Sequence, residues 1–134
     1  MRRFRVALVV VALALAGCSA VSPGTVNCVV SANNPHHSSG TPGQMVGKAR
    51  MGCDTSGVTF TGYVEIQQQH NGGWFRYERA PFGPFATKKN DEYTRQASEY
   101  CTPGTFRTKV SAKATFGALS DSNVDYSQSV TNPC

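Results

Sequence analysis

Residues 58–67 read VTFTGYVEIQ, and apolar or small side chains alternate with polar or amphipathic ones along the whole stretch. Successive side chains of a β-strand point to opposite faces of a sheet, so this period of two predicts a strand with one buried face. The even-numbered residues from Val58 to Ile66 would face inward, and the odd-numbered ones from Thr59 to Gln67 would face solvent. The stretch therefore predicts a half-buried β-sheet.

The same alternation recurs in residues 45–53 and 105–116. Each run is long enough for a complete strand, and each has one apolar face and one polar face. Asn71-Gly72-Gly73 follows residues 58–67, and asparagine and glycine accept the positive φ that a tight hairpin turn requires. Trp74 to Arg79 would then return as the partner strand.

Shorter or less regular alternation predicts three more strands, in residues 26–30, 93–101 and 124–130. The prolines of residues 80–85 exclude a central strand, so we expect a crossover or a surface loop there. Residues 117–123 would form another loop. The chain therefore predicts an all-β fold, a disulfide-closed antiparallel β-sandwich of about seven strands with Greek-key connections.

The N-terminus has the order of a secretory signal: Arg2, Arg3 and Arg5 precede an apolar stretch of 11 residues that begins at Val6. The stretch ends in Leu15-Ala16-Gly17-Cys18, which resembles the lipobox of bacterial lipoproteins. The resemblance implies cleavage before Cys18, a diacylglycerol on its thiol and attachment to the outer face of a bacterial membrane. Residues 1–17 would be the signal peptide, 18–25 the lipidated cysteine and a short tether, and 26–134 a single domain.

Two alternatives to the lipobox remain open at this point. An ordinary secretory signal cut after Ala20 would release a soluble secreted protein. Arg2-Arg3 is similar to a twin-arginine signal, but the polar residue that usually precedes the pair is missing. A membrane-spanning helix needs about 20 apolar residues, so the apolar stretch is too short for one.

The chain has five cysteines: Cys18, Cys28, Cys53, Cys101 and Cys134. An odd number in an exported protein needs an explanation, and lipidation of Cys18 provides one. The other four allow three disulfide connectivities. We favour Cys28–Cys53 with Cys101–Cys134, because each bond then joins segments close in sequence. A metal site is disfavoured because no C-x-x-C pair is present.

The charge of the chain argues against nucleic-acid binding. The formal net charge is +5, but without the three leader arginines the remaining chain carries 10 basic and 8 acidic residues. Its densest basic pair, Lys88-Lys89, is followed at once by Asp91-Glu92. Nucleic-acid recognition requires clustered positive charge, which the sequence does not display.

Catalytic and metal-binding motifs are weak in this sequence. His36 and His37 are adjacent, so on an extended chain they point in opposite directions. Neither they nor His70 lies in a serine-nucleophile motif, and Asp91-Glu92 does not suggest a paired-carboxylate site. We therefore expect no catalytic residues, no metal and no cofactor, although a small envelope enzyme that uses the histidines remains an alternative.

In size and strand number the domain is similar to immunoglobulin-like β-sandwiches. Trp74 lies between Cys53 and Cys101, as the core tryptophan of that family does. The likeness is incomplete, because Glu99 occupies the position of the family's corner tyrosine. A Cys53–Cys101 bond of the family type would also exclude the connectivity that we favour.

Aromatic and arginine side chains suggest a contact surface, because such residues are frequent interface anchors. The candidate residues are Trp74, Phe75, Arg76, Tyr77, Arg79, Phe82 and Phe85. Alternation places Phe75 and Tyr77 on one face and Trp74 on the other, so one of these sets belongs to the core. We expect a non-enzymatic binding module with a protein or carbohydrate partner in the bacterial envelope. Alternatives are a phage-encoded or mobile-element lipoprotein that blocks receptors or superinfection, and an inhibitor of an envelope enzyme.

Overall fold

The computed structural model describes residues 2–6 and 26–134, in which every regular element is a β-strand. The lipobox, Cys18 and the tether of residues 18–25 lie outside this part of the chain. The strands are β1 (Arg2–Val6), β2 (Val26–Ala32), β3 (His36–His37), β4 (Gln44–Cys53), β5 (Thr59–His70), β6 (Gly73–Ala86), β7 (Tyr93–Tyr100), β8 (Thr105–Phe116), β9 (Leu119–Tyr126) and β10 (Val130–Thr131).

Strand β4 organises the first sheet. β2 pairs with one half of it from Ala32↔Ala49 to Cys28↔Cys53, and the short β3 pairs with the other half. β7 runs antiparallel along the opposite edge of β4, from Gln44↔Tyr100 onward. β1, which falls within the predicted signal peptide, adds a strand to the other edge of β2.

Strands β5 and β8 form the centre of the second sheet, which is also antiparallel. β6 pairs with the outer edge of β5, and β9 and β10 pair with the outer edge of β8. β4 of the first sheet packs against both β5 and β8, so the two sheets enclose one core. The all-β, sandwich-like architecture that the alternating pattern predicts is therefore present.

The core is built from the inward faces of both sheets, as the alternation predicts. The fully or almost fully buried side chains that meet there include Met45, Ala49, Met51, Phe60, Val64, Ile66, Phe106 and Val110. Burial of such side chains is the main favourable contribution to folding. Gly47 lies on the same inward face of β4, where the hydroxyl of Thr108 approaches it too closely to leave room for a larger residue.

The predicted hairpin turn is confirmed. His70 pairs with Gly73, so Asn71 and Gly72 form a two-residue loop. Their φ angles are 48° and 77°, the positive values that the Asn-Gly signal predicts.

The prediction of a crossover or surface loop at residues 80–85 is wrong. β6 continues through Pro81 and Pro84 as far as Ala86. Within the described residues β6 pairs only with β5, so it is an edge strand, where a residue without an N–H group is tolerated. The prolines exclude a central strand, but they do not exclude this one.

The C-terminal region also differs from the prediction. The segment 117–123, expected as a loop, contains the start of β9, because Phe116 pairs with Leu119 across a two-residue turn. The strand expected over residues 124–130 ends at Tyr126, and pairing resumes only in β10. With β1 and β3, the described residues form ten strands rather than seven.

Two disulfides close the fold, and they have the connectivity that we favour from the sequence. Cys28–Cys53 joins two directly opposed residues of β2 and β4. Cys101–Cys134 fastens the last residue to the end of β7. The alternative Cys53–Cys101 pairing is therefore absent. Disulfides persist in oxidising compartments, so the pair is consistent with an exported protein.

Candidate binding face

The outward face of the second sheet carries cationic and aromatic side chains from four strands, and we call it the basic–aromatic face. Its residues are Tyr63, Glu65, Gln67, Trp74, Arg76, Arg79, Arg107, Lys109, Lys113 and Tyr126. Opposed residues in neighbouring strands share one face, and the registers of β5 with β6 and β8, and of β8 with β9, place these side chains together.

A bulge in β6 decides which of its residues reach this face. The pairing shifts between Ile66↔Glu78 and Gln67↔Arg76, so one residue of β6, Tyr77, has no opposite partner. Arg76 and Arg79 therefore both lie on the outward face. Tyr77 turns inward instead, where its ring packs 5.4 Å from that of Phe106.

Glu65 is buried although it points away from the core, with only 2% of its surface exposed. The guanidinium of Arg79 covers it and donates from both Nε and a terminal nitrogen to Oε2, the Nε bond being 2.8 Å. Gln67 Nε2 donates to the other carboxylate oxygen over 2.7 Å. The charged hydrogen bond to Glu65 raises the pKa of Arg79, so this guanidinium keeps its positive charge.

Arg107 is held between two aromatic rings. Its guanidinium carbon lies 4.4 Å from the centre of the Trp74 ring and 4.2 Å from that of Tyr126. Its Nε donates to Gln67 Oε1 over 2.8 Å, which connects it to the Glu65 pair. Desolvation by the surrounding side chains lowers the pKa of Arg107, but an arginine remains charged after such a shift.

Tyr63 is the third ring of the face. The guanidinium carbon of Arg79 lies 3.8 Å from the ring centre, and the ammonium nitrogen of Lys109 lies 5.5 Å from it. Such cation–π contacts hold long side chains in fixed positions. Arg76 and Lys113 are exposed at the margins of the face. At the paired positions of the described strands, five cations therefore accompany one carboxylate, which is itself neutralised by Arg79.

The structure divides the contact surface suggested by the sequence. Trp74, Arg76 and Arg79 lie on the basic–aromatic face, so Trp74 is not the core tryptophan of an immunoglobulin-like domain. Phe82 is buried in the core, and Phe85 packs against Phe60 and Tyr93. Tyr77 also packs against the core. Phe75 is the remaining residue of the predicted set. Phe75 is 58% exposed at the hairpin end, with its ring 6.3 Å from that of His70.

Sequence reasoning missed the central residues of the face. The alternation predicts that Tyr63, Glu65 and Gln67 face solvent, whereas Glu65 and Gln67 are buried. The missing information was which strands are neighbours. Arg107 covers Gln67 only because β8 lies beside β5.

The histidines are dispersed. His36 and His37 are exposed in β3, and His36 Nδ1 lies 3.0 Å from the carbonyl oxygen of Asn34. His70 Nε2 lies 3.0 Å from Gln68 Oε1, beside the turn of the β5–β6 hairpin. Across residues 2–6 and 26–134, no group of three or more metal-binding side chains is close enough to hold an ion.

A second concavity lies on the outward side of the first sheet. It is an open cleft of about 820 Å³ beside β1, β2 and β4. Its charged lining residues are Arg3, Arg50, Asp54, Asp91 and Glu92. Arg50 and Glu92 approach to 3.8 Å, and both remain largely exposed.

Comparison with known proteins finds no matching protein family, no similar curated protein and no similar solved structure. In the part of the chain that the structure describes, no helix has the length and apolar character needed to cross a membrane.

Proposed function

We propose that the chain is a bacterial envelope lipoprotein, anchored through acylated Cys18, whose domain binds a partner and catalyses no reaction. The lipobox supports the anchor. The two disulfides add a second argument, because they use all the cysteines except Cys18. An intact mass of the native membrane-extracted protein tests this. A chain that begins at an acylated Cys18 supports the anchor, whereas an unmodified chain that begins at Val21 contradicts it.

Binding takes place through the basic–aromatic face, and the partner is an envelope protein or carbohydrate that carries negative charge. The observation that carries this proposal is the position of Arg107, held between Trp74 and Tyr126 and bonded to Gln67. A cation already fixed in the free protein loses little conformational freedom when it binds. Tryptophan, tyrosine and arginine are also the side chains that most often dominate binding interfaces.

The fold of the domain is an immunoglobulin-like Greek key. If β2, β4, β5, β6, β7, β8 and β9 are counted as strands one to seven, the sheets contain strands one, two and five, and strands four, three, six and seven. In immunoglobulin constant domains strands one, two, five and four face strands three, six and seven. The orders differ only in the sheet to which the fourth strand belongs.

A pair of charge reversals tests the binding face. The variant Arg76→Glu with Lys113→Glu changes two exposed cations at the margins of the face. The control Lys88→Glu with Lys89→Glu changes the net charge equally, in an exposed loop outside it. We expect the first variant to reduce retention on envelope fractions and on immobilised polygalacturonate, an acidic polysaccharide, by about tenfold or more, because each cation contributes to attraction of an anionic partner.

The control should bind like the unmodified protein. Equal losses in the two variants would mean that net charge alone drives retention, and the proposal would fail. Unchanged binding of the first variant would exclude this face. Loss of retention on envelope fractions, without any binding to the polysaccharide, would support the face and exclude polygalacturonate-like polysaccharides as its partner.

A further inference from the structure

The edge of β2 is occupied by a strand that the mature lipoprotein would not contain. β1 pairs with β2 from Arg2↔Val30 to Val6↔Val26. Phe4 lies opposite Cys28 and belongs to the core, where its ring meets that of Phe60 edge-on with centres 6.4 Å apart. Only 6% of Phe4 is exposed. The segment therefore contributes both a hydrogen-bonded strand and a core side chain.

Cleavage before Cys18, as proposed above, separates this strand from the domain. The edge of β2 would then present unpaired backbone groups, and the position of Phe4 beside Phe60 would be open to solvent. Exposed strand edges readily accept an added strand. The disulfide from Cys28 to Cys53 keeps β2 attached to β4 when β1 leaves.

The direction of the backbone groups on β2 can be read from its contacts. The opposed Cys28 and Cys53 have Cα atoms only 4.1 Å apart, which is typical of a non-hydrogen-bonded pair. Asn27 N–H correspondingly points toward the β4 side, where it donates to Asp54 Oδ1 over 2.9 Å. The amides of Cys28 and Val30 therefore face β1.

The charge of the neighbouring cleft favours a basic strand. Arg3, opposite Val29, lines the cleft together with Asp54, Asp91 and Glu92. Without Arg3, three carboxylates would face the single cation Arg50. An added strand with a basic residue next to an aromatic one, as Arg3 is next to Phe4 in β1, would restore the balance of charge in the cleft.

We propose that, in the mature chain, the β2 edge is a docking groove for an extended strand of a partner protein. That strand pairs antiparallel with β2, inserts an aromatic side chain opposite Cys28 and places a basic side chain next to it over the cleft. Strand addition of this kind takes affinity from main-chain hydrogen bonds and specificity from alternate side chains. The inference rests on the cleavage proposed above.

The test uses residues 18–134 with Cys18→Ser and a capped peptide of residues 2–6, RRFRV, as the ligand. Amide hydrogen exchange is the readout. We expect the amides of Cys28 and Val30 to exchange fast in the free domain and at least tenfold more slowly with the peptide. The amides of Asn27 and Val29, which face β4, should be slow in both states. A peptide with Phe4→Ala should bind at least tenfold more weakly.

Three results would overturn the proposal. The peptide could fail to protect Cys28 and Val30, or the Phe4→Ala peptide could bind equally well. The two amides could also be slow without peptide in a dimeric sample, which would assign the edge to a second copy of the chain.

A second variant, made in the full-length chain, tests the groove even if the shortened chain folds poorly. In the full chain with Phe4→Ala, the labelled RRFRV peptide should displace the weakened β1 and be retained, whereas the unmodified full chain should not retain it. Retention by neither chain would count against the groove. The start of each recombinant chain is set by design, so these outcomes are independent of the native mass that tests cleavage.

Discussion

Glu65 shows how a charged residue can be buried on the outer face of a sheet. Its carboxylate is covered by the side chains of Arg79 from the neighbouring β6 and of Gln67 from β5 itself. Burial of a carboxylate is costly unless hydrogen bonds and an opposite charge compensate for it. Arg79 and Gln67 supply that compensation, so the face is an ordered network and not a set of independent surface charges.

Arg79→Met should therefore destabilise the domain. The variant keeps most of the aliphatic cover but leaves the Glu65 carboxylate with Gln67 alone. We expect the free energy of unfolding to fall, because the buried carboxylate loses the cation that compensates for its burial. Urea denaturation measures it. Adding Glu65→Gln should recover most of the loss, because a neutral amide needs no cation, and failure to recover would contradict the network.

Thr108 presents the opposite situation. Its side chain is fully buried, and Oγ1 has no hydrogen-bond partner among the residues that the structure describes. Thr108→Val replaces this hydroxyl with a methyl group of similar shape. We expect the free energy of unfolding to rise by about 1 kcal/mol, because an unsatisfied buried hydroxyl is unfavourable.

Thr105→Val is the matched control for Thr108→Val in the same strand. Thr105 Oγ1 lies 3.0 Å from Thr131 Oγ1, so the control should lose a hydrogen bond and become less stable. If thermal melts show a lower midpoint for Thr108→Val, the hydroxyl is not an unsatisfied group.

At the scale of the elements, Gly62 of β5 lies tightly against the backbone of β8. An added Cβ there would lie 2.0 Å from the carbonyl oxygen of Ser111, which is backbone and cannot rotate away. The register of β5 with β6 also shifts at this point, between Phe60 and Gly62. Glycine is therefore required by the central pair of strands.

Gly62→Ala should accordingly be severely destabilising. We expect a loss of roughly 3 kcal/mol or more, because relief of the clash must move a central strand. Gly40→Ala is the control, since a Cβ there would meet no atom within 4 Å. Equal stability of the two variants in chemical denaturation would contradict the close approach of β5 and β8.

The strands themselves were predictable, but their neighbours were not. A period of two identifies β4, β5 and β8 because one face of each is buried, and Asn71-Gly72 identifies the hairpin by its backbone requirements. The position of β8 beside β5 depends on long-range pairing that leaves no local pattern. For that reason the burial of Gln67 could not be foreseen, and Pro81 could be placed in a strand only once β6 was known to be an edge.

At the scale of the whole molecule, acid sensitivity has an identifiable source at Asp54. Its carboxylate accepts hydrogen bonds from the side chain and the backbone N–H of Asn27, over 2.8 Å and 2.9 Å. These bonds, that from the side chain first, lower the pKa of Asp54 below its usual value of 3.8. The folded state thus favours the charged form. Its contribution to stability is complete above the unfolded pKa and is lost as pH falls through the lowered folded pKa.

Asp54→Asn should therefore flatten the decline of unfolding free energy as pH falls below about 3.8, relative to the unmodified protein. Denaturant titrations at a series of acidic pH values measure this. Asn27→Ala serves as the second arm and should flatten the profile in the same way, since it removes the principal donor. A profile unchanged in both variants would place the acid sensitivity elsewhere.

The positions of the two disulfides have a mechanical consequence for a protein attached to a membrane. A pull on a tether at Cys18 would enter the domain at Val26 and reach the Cys28–Cys53 bond two residues later. The second bond holds Cys134 beside the end of β7. Drag on a bound partner would therefore load the Cys28–Cys53 bond before it could peel β2 from β4 beyond that point, one hydrogen bond at a time.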